Sequence, residues 1–147
     1  MTVTDHFSDR EFVCHDEART PYPIAWIADR LTPLCTLLEA IRAELHGQPV
    51  RIVSGYRTPA YNAQIGGATH SQHMEGMAAD VTVPSYTARE VHDLVLAMYR
   101  AGTLTALGVG TQGTATLGGL GNYPTFTHLD IRPGTRLARW SGGRSTV

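Results

Sequence analysis

The sequence predicts an α+β fold: one domain with a small, mostly antiparallel sheet flanked by helices. Three observations carry this. A helical apolar stripe runs from Ile24 to Leu45, short β-branched runs follow it, and no Pro-, Gly- or Ser-rich linker divides 1–147. With 147 residues, 42% of them apolar, the chain can bury a single core.

Residues 1–23 mix charges with Pro21 and Pro23 and show little periodicity, so they read as an irregular lead-in crossing the surface, with Phe7, Phe12 and Cys14 as anchors. From Ile24, apolar residues at Ile27, Leu31, Leu34, Leu38, Ile41 and Leu45 recur at three- and four-residue steps, predicting an amphipathic helix that ends near Gly47. Pro33 lies inside it and is expected to kink or split it. The runs 50–54 (VRIVS) and 79–83 (ADVTV) read as strands stopped by Gly55 and Pro84. Thr87 and Glu90 form a capping box ahead of Val91, Leu94, Val95 and Met98, predicting a second helix from Thr87 to Arg100 that ends at Gly102. Residues 104–109, 114–117 and 126–131 read as three further strands joined by glycine-rich turns. The tail, 132–147, reads as a solvated end in which Trp140 packs.

Composition narrows the function. Twelve Lys plus Arg against 13 Asp plus Glu leave a net charge of −1, which removes the electrostatic case for nucleic acid or an anionic membrane as partner. No apolar run approaches the roughly 20 residues of a spanning helix, and 1–10 (MTVTDHFSDR) lacks the features of a signal peptide. A soluble monomer made in the cytoplasm is expected. Cys14 and Cys35 form no CxxC pair and read as two buried thiols, with no disulfide inferred, so a metal would be held by nitrogen and oxygen. Seven histidines direct attention to imidazole chemistry.

Three segments carry that chemistry: SGYRTP (54–59), GGATHSQHMEGMAAD (66–80) and THLD (127–130). His73 and Asp80 would lie about 23 Å apart if extended, or about 10 Å apart along a helix, whereas zinc takes each donor at about 2 Å. The chain must therefore fold back between them, and Gly76 supplies a permissive backbone for the turn. His128, from a distant strand, would be a third ligand, leaving a fourth position open as in a catalytic zinc site. A histidine and an aspartate beside strands are also common as hydrogen-bonded polar residues, so spacing alone leaves both readings open.

The run SGYRTPAYN, then GGAxxSQHxxGxAAD, then THLD resembles the zinc D-alanyl-D-alanine carboxypeptidases and related murein endopeptidases. These share their metal-site architecture with lysostaphin-type peptidases and the hedgehog signalling domain. HFSDREFVC (6–14) and GLGNYP (119–124) extend the similarity over most of the chain, from His6 to about Trp140. The resemblance implies a hedgehog-like or D-Ala-D-Ala-peptidase-like fold, Zn²⁺ on His73, Asp80 and His128, and Arg57 as the cation that binds substrate and steadies the oxyanion. It also implies peptidoglycan stem peptides as substrate, cleaved either by a carboxypeptidase or by an endopeptidase acting on cross-links.

One position departs from the family. Where many members place an acidic base three residues before the last histidine, this chain has Thr125, which cannot accept a proton. Asp130 is the substitute, as base, as orienter of an imidazole or arginine, or as partner of Arg132 or a backbone amide. His70, Ser71 and Tyr123 are candidates for contact with substrate. Two other readings stand beside the peptidase: a zinc-containing wall or protein binding module without catalysis, and a phage-particle component. Reaching the wall would take phage-style release or non-classical export.

Overall fold

The computed structural model describes residues 1–107 and 114–142. Its centre is a five-stranded sheet built from β3 (Arg51–Ser54), β4 (Ala78–Thr82), β7 (Gly119–Asn122), β8 (Thr127–Asp130) and β9 (Ala138–Ser141), in the order β3-β4-β8-β7-β9. All pairings are antiparallel except that of β7 with β9. Two small hairpins lie outside it: β1 (Thr2–Thr4) with β2 (Phe7–Ser8), and β5 (Thr105–Leu107) with β6 (Thr114–Thr116). The expected α+β class with a mostly antiparallel sheet is what the chain adopts. Positions 108 and 109 of the predicted strand 104–109 lie outside the described residues.

Strand alternation gives the sheet two faces of opposite character. Ala79, Val81, Leu120 and Leu129 point to one side and are buried in the core. On that side lies α3 (Ala88–Arg100), which packs against β7 and β8. Thr127 ties the two layers together, its hydroxyl donating to the Ala88 carbonyl at 3.0 Å. The opposite parity carries Ala78, Asp80, His128, Asp130, Gly119, Gly121 and Trp140.

The predicted capping box forms: the Thr87 hydroxyl accepts from the Glu90 amide at 3.1 Å while the Glu90 carboxylate accepts from the Thr87 amide at 2.8 Å. Thr87→Ala is expected to lower stability by about 1 kcal/mol in urea denaturation while leaving the site intact.

The first predicted helix is split, as Pro33 requires. A 3₁₀ turn (Ile24–Trp26) and a π turn (Ile27–Leu31) precede α1 (Thr32–Glu44). Proline at 33 has no N–H and crowds the carbonyl four residues back, so an ordinary helix cannot run through it. The backbone instead widens, with the Thr32 amide reaching the Ile27 carbonyl.

Three readings need correction. The lead-in is more ordered than expected: besides β1 and β2 it forms a 3₁₀ turn (Asp9–Phe12), while its expected anchors Phe7, Phe12 and Cys14 are buried and Tyr22 is buried with them. Residues 59–64, to which the sequence reading assigns no element, form α2 (Pro59–Gln64), capped by Thr58, whose hydroxyl accepts from the Tyr61 amide at 3.1 Å. GLGN is a strand, β7, rather than a turn. Part of the tail is strand too, since β9 lies parallel to β7. Cys14 and Cys35 are both buried and unpaired. No helix among the described residues is long and apolar enough to cross a membrane.

Candidate active site

Register brings the site together. Asp80 on β4 sits directly opposite His128 on β8, and on its other side opposite Ser54 at the end of β3. The cross-strand pair places carboxylate and imidazole side by side on one face without any loop. His73 arrives from outside the sheet, at the end of a tight turn. Ser71 Oγ accepts from the His73 amide at 3.2 Å, and Gly76 returns its amide to the His73 carbonyl at 3.2 Å. Gly76 has φ of 68°, and a Cβ there would lie 2.7 Å from the Tyr22 hydroxyl, so both backbone and space demand glycine.

The end of β3 grips this turn from two sides. Gly55 accepts from His73 Nδ1 at 2.7 Å, and the Arg57 amide donates to the His73 carbonyl at 3.1 Å. A carbonyl can only accept, so the His73 proton is on Nδ1 and the Nε2 lone pair faces the site. That Nε2 is buried with no hydrogen-bond partner. It lies 3.2 Å from Asp80 Oδ2, but without hydrogen-bond geometry. Ligand atoms of His73, Asp80 and His128 all fall within 4.8 Å of one another. Two donors about 2 Å from a common ion at a tetrahedral angle would be roughly 3.3 Å apart, close to that 3.2 Å separation. An orphaned imidazole nitrogen beside a carboxylate is a poor hydrogen-bonding arrangement and a good cation site; the residues fit a metal ion.

Charge is arranged accordingly. Burial lowers the His73 pKa and keeps its imidazole neutral. Burial opposes ionisation of Asp80, but the hydrogen bond and charge of His128 outweigh it and hold the carboxyl well below the ordinary carboxylate range. His128 donates from Nδ1 to Asp80 Oδ1 at 2.9 Å and from Nε2 to Asp130 Oδ2 at 2.8 Å. Burial alone would strip its charge, yet these two carboxylates reverse the effect and raise its pKa.

Asp130 is 0% exposed, and both its oxygens are engaged. Oδ1 accepts from the Arg132 amide at 3.1 Å and from Arg132 Nε at 2.9 Å; Oδ2 accepts from Arg132 Nη2 at 2.7 Å as well as from His128. Burial pushes its pKa up, but the bonds to Arg132 and His128 prevail and bring it down to about 2. Room for this carboxylate comes from Gly119 on β7, where a Cβ would be 2.1 Å from Oδ2.

Arg57 is 6% exposed and only loosely held, with Nη1 3.3 Å from Asn62 Oδ1 and Nη2 3.5 Å from Asp80 Oδ2. Its Nε is buried without a partner.

A cleft of about 580 Å³ opens over these groups. Arg57, His73, Asp80 and His128 line it, together with His70, Ser71 and Tyr123. Thr125 is exposed and outside that lining, and Asp130 does not line the cleft either. Sequence reasoning missed two contributors, Asn62 and Trp140, whereas the pairing of Asp130 with Arg132, one of the alternatives it held open, forms. Asn62, on α2, steadies both Arg57 and the Ala68 carbonyl, to which its Nδ2 donates at 2.8 Å. A Thr-Pro pair ahead of it was the available signal for that helix.

Comparison with known proteins agrees with this geometry. A family model described as Peptidase M15 matches residues 5–130. Over 44 residues the chain is 39% identical to the zinc D-Ala-D-Ala carboxypeptidase of Streptomyces albus G. That alignment covers 30% of this chain and 17% of the relative's length, well short of the whole relative.

Proposed function

The chain belongs to the peptidase M15 family, and from that premise we propose that it is a zinc peptidase hydrolysing peptide bonds in peptidoglycan stem peptides. The observation that carries the reading is the unpartnered Nε2 of His73, buried beside Asp80 and His128.

His73 would hold Zn²⁺ through Nε2, Asp80 through its carboxylate and His128 through Nδ1, with His128 Nε2 kept for Asp130. Bound there, zinc supplies Lewis acidity, acidifying a water and polarising the scissile carbonyl. The protein's own groups do the rest. Arg57 offers its fork, with Nε free, to the oxygen on which negative charge develops. His70, Ser71 and Tyr123 line the cleft where the peptide would lie. Asp130 has its oxygens filled and is removed from the cleft, so its bonding supports orientation of His128 over proton abstraction.

Zinc analysis combined with digestion of purified muropeptides tests the reading. Stoichiometric zinc with release of D-Ala or of cut cross-links is expected, and a zinc-loaded protein inert on pentapeptide and cross-linked substrates alike would overturn it. Asp130→Asn separates the two roles of that residue. As an orienter its loss weakens zinc binding by roughly 10- to 100-fold, measured by chelator competition, and excess zinc recovers turnover. Unchanged zinc affinity with lost turnover would restore Asp130 as the base.

A further inference from the structure

We propose that Trp140, on the edge strand β9 and outside the matched residues 5–130, is a positioning residue of the site, holding His128 by ring contact and Tyr123 by its indole N–H. One row of residues crosses the sheet here. Asp80 pairs with His128, His128 with Gly121 and Gly121 with Trp140. Ordinarily the side chain on β7 would separate those on β8 and β9. At Gly121 there is none, and a Cβ would lie 2.7 Å from Trp140 Nε1 and 2.9 Å from the Tyr123 ring. The glycine lets the indole lean across the strand until its ring centre is 5.0 Å from that of His128, tilted by 53°. On the same indole the Arg132 guanidinium carbon sits 5.2 Å from the ring centre, while that arginine grips Asp130 with its Nε and Nη2. His128 is thus braced through Asp130 at Nε2 and through Trp140 against the ring.

The other end of the indole acts on Tyr123. Trp140 Nε1 donates to the Tyr123 hydroxyl oxygen at 2.9 Å. An indole is a donor only, and a phenol has a single hydrogen to give. With Trp140 occupying the oxygen, that hydrogen is left for another acceptor. Both residues line the cleft, where a peptide carbonyl or carboxylate oxygen would supply one. Stacking of Tyr123 on Phe126 at 4.4 Å, together with Gly142, where a Cβ would be 2.1 Å from the Tyr123 ring, keeps the phenol in place. Contact of Tyr123 with substrate rests on the peptidase reading; the bracing by Trp140 does not.

The experiment compares wild type with Trp140→Ala, Trp140→Phe and Tyr123→Phe, using zinc affinity by chelator competition, the indole N–H resonances by NMR, and turnover of muropeptides. Trp140→Ala is expected to weaken zinc binding roughly tenfold, whereas Trp140→Phe, which keeps a ring, stays near wild type. If Trp140→Ala does not fold, Trp140→Leu replaces it, with the same expected loss. Of the protein's two tryptophans, Trp140 should show an indole resonance that moves in Tyr123→Phe while that of Trp26 stays. Trp140→Phe and Tyr123→Phe should each lower kcat about tenfold, and the double variant should be no worse than either. Zinc affinity unchanged without the ring, an indole resonance indifferent to Tyr123, or additive losses in kcat would each overturn the proposal. A wild type that binds zinc and cleaves nothing would count against the peptidase reading, with the zinc and NMR results still deciding the role of Trp140.

Discussion

His73→Ala is expected to yield a folded protein without bound zinc and without muropeptide cleavage, a loss of more than about 10³-fold, or above about 4 kcal/mol of transition-state stabilisation. The turn does not depend on the imidazole: the Arg57 amide bonds the backbone carbonyl of residue 73, and Gly76 closes the turn through the same oxygen. Only the side-chain bond from Nδ1 to Gly55 is lost. What the substitution removes is the imidazole nitrogen that has no protein partner and faces Asp80 and His128. Thermal unfolding gives a second measure. Zinc should raise the midpoint of the wild type, because a ligand that binds only the native state stabilises it by mass action. The same zinc should leave the variant's midpoint where it was. A variant that still takes up zinc at wild-type affinity would remove His73 from the ligand set.

That His73, Asp80 and His128 belong together was legible from the resemblance; spacing alone required only that the chain fold back between His73 and Asp80, with glycine at 76 to permit it. How they meet was not. The pairing of Asp80 with His128 is a register between strands 48 residues apart, which no local pattern encodes. The two long helices declared themselves through periodicity and, for α3, a capping box, since both signals lie within a few turns of backbone. The strands that complete the site declared nothing. Glycine is depleted from strands, so GLGN on β7 read as a turn, although Gly119 makes room for Asp130 and Gly121 for Trp140. β9 hides among arginines in a stretch ordered by long-range contacts, pairing with β7 and the packing of Trp140. For the same reason Asp130 stayed ambiguous: its partners at both oxygens include Arg132, and whether a nearby arginine salt-bridges or faces solvent is decided by the tertiary packing around it.

Arg57→Lys is expected to retain zinc and lose roughly 100-fold in kcat. Lysine keeps the positive charge but not the planar fork, and two features of the site depend on the fork. Nη1 and Nη2 reach in different directions, to Asn62 and to Asp80, at 3.3 and 3.5 Å, both long enough to be exchanged for a better acceptor. The third nitrogen of the guanidinium, Nε, has no partner. An ammonium on a flexible stem would settle against Asp80 instead, the nearest full negative charge, and be withdrawn from substrate. The way the loss divides between constants then distinguishes the two possible tasks of this residue. If Arg57 meets charge that exists only in the transition state, kcat falls and KM stays close to wild type. If it binds a carboxylate already present in the ground state, KM rises, and amidating the free C-terminus of the substrate should impair the wild type as the substitution does while having little further effect on the variant. The second pattern would assign the cleft to a carboxypeptidase and the first would leave it open to internal bonds of cross-links; wild-type kinetics in Arg57→Lys would take the arginine out of the reaction altogether.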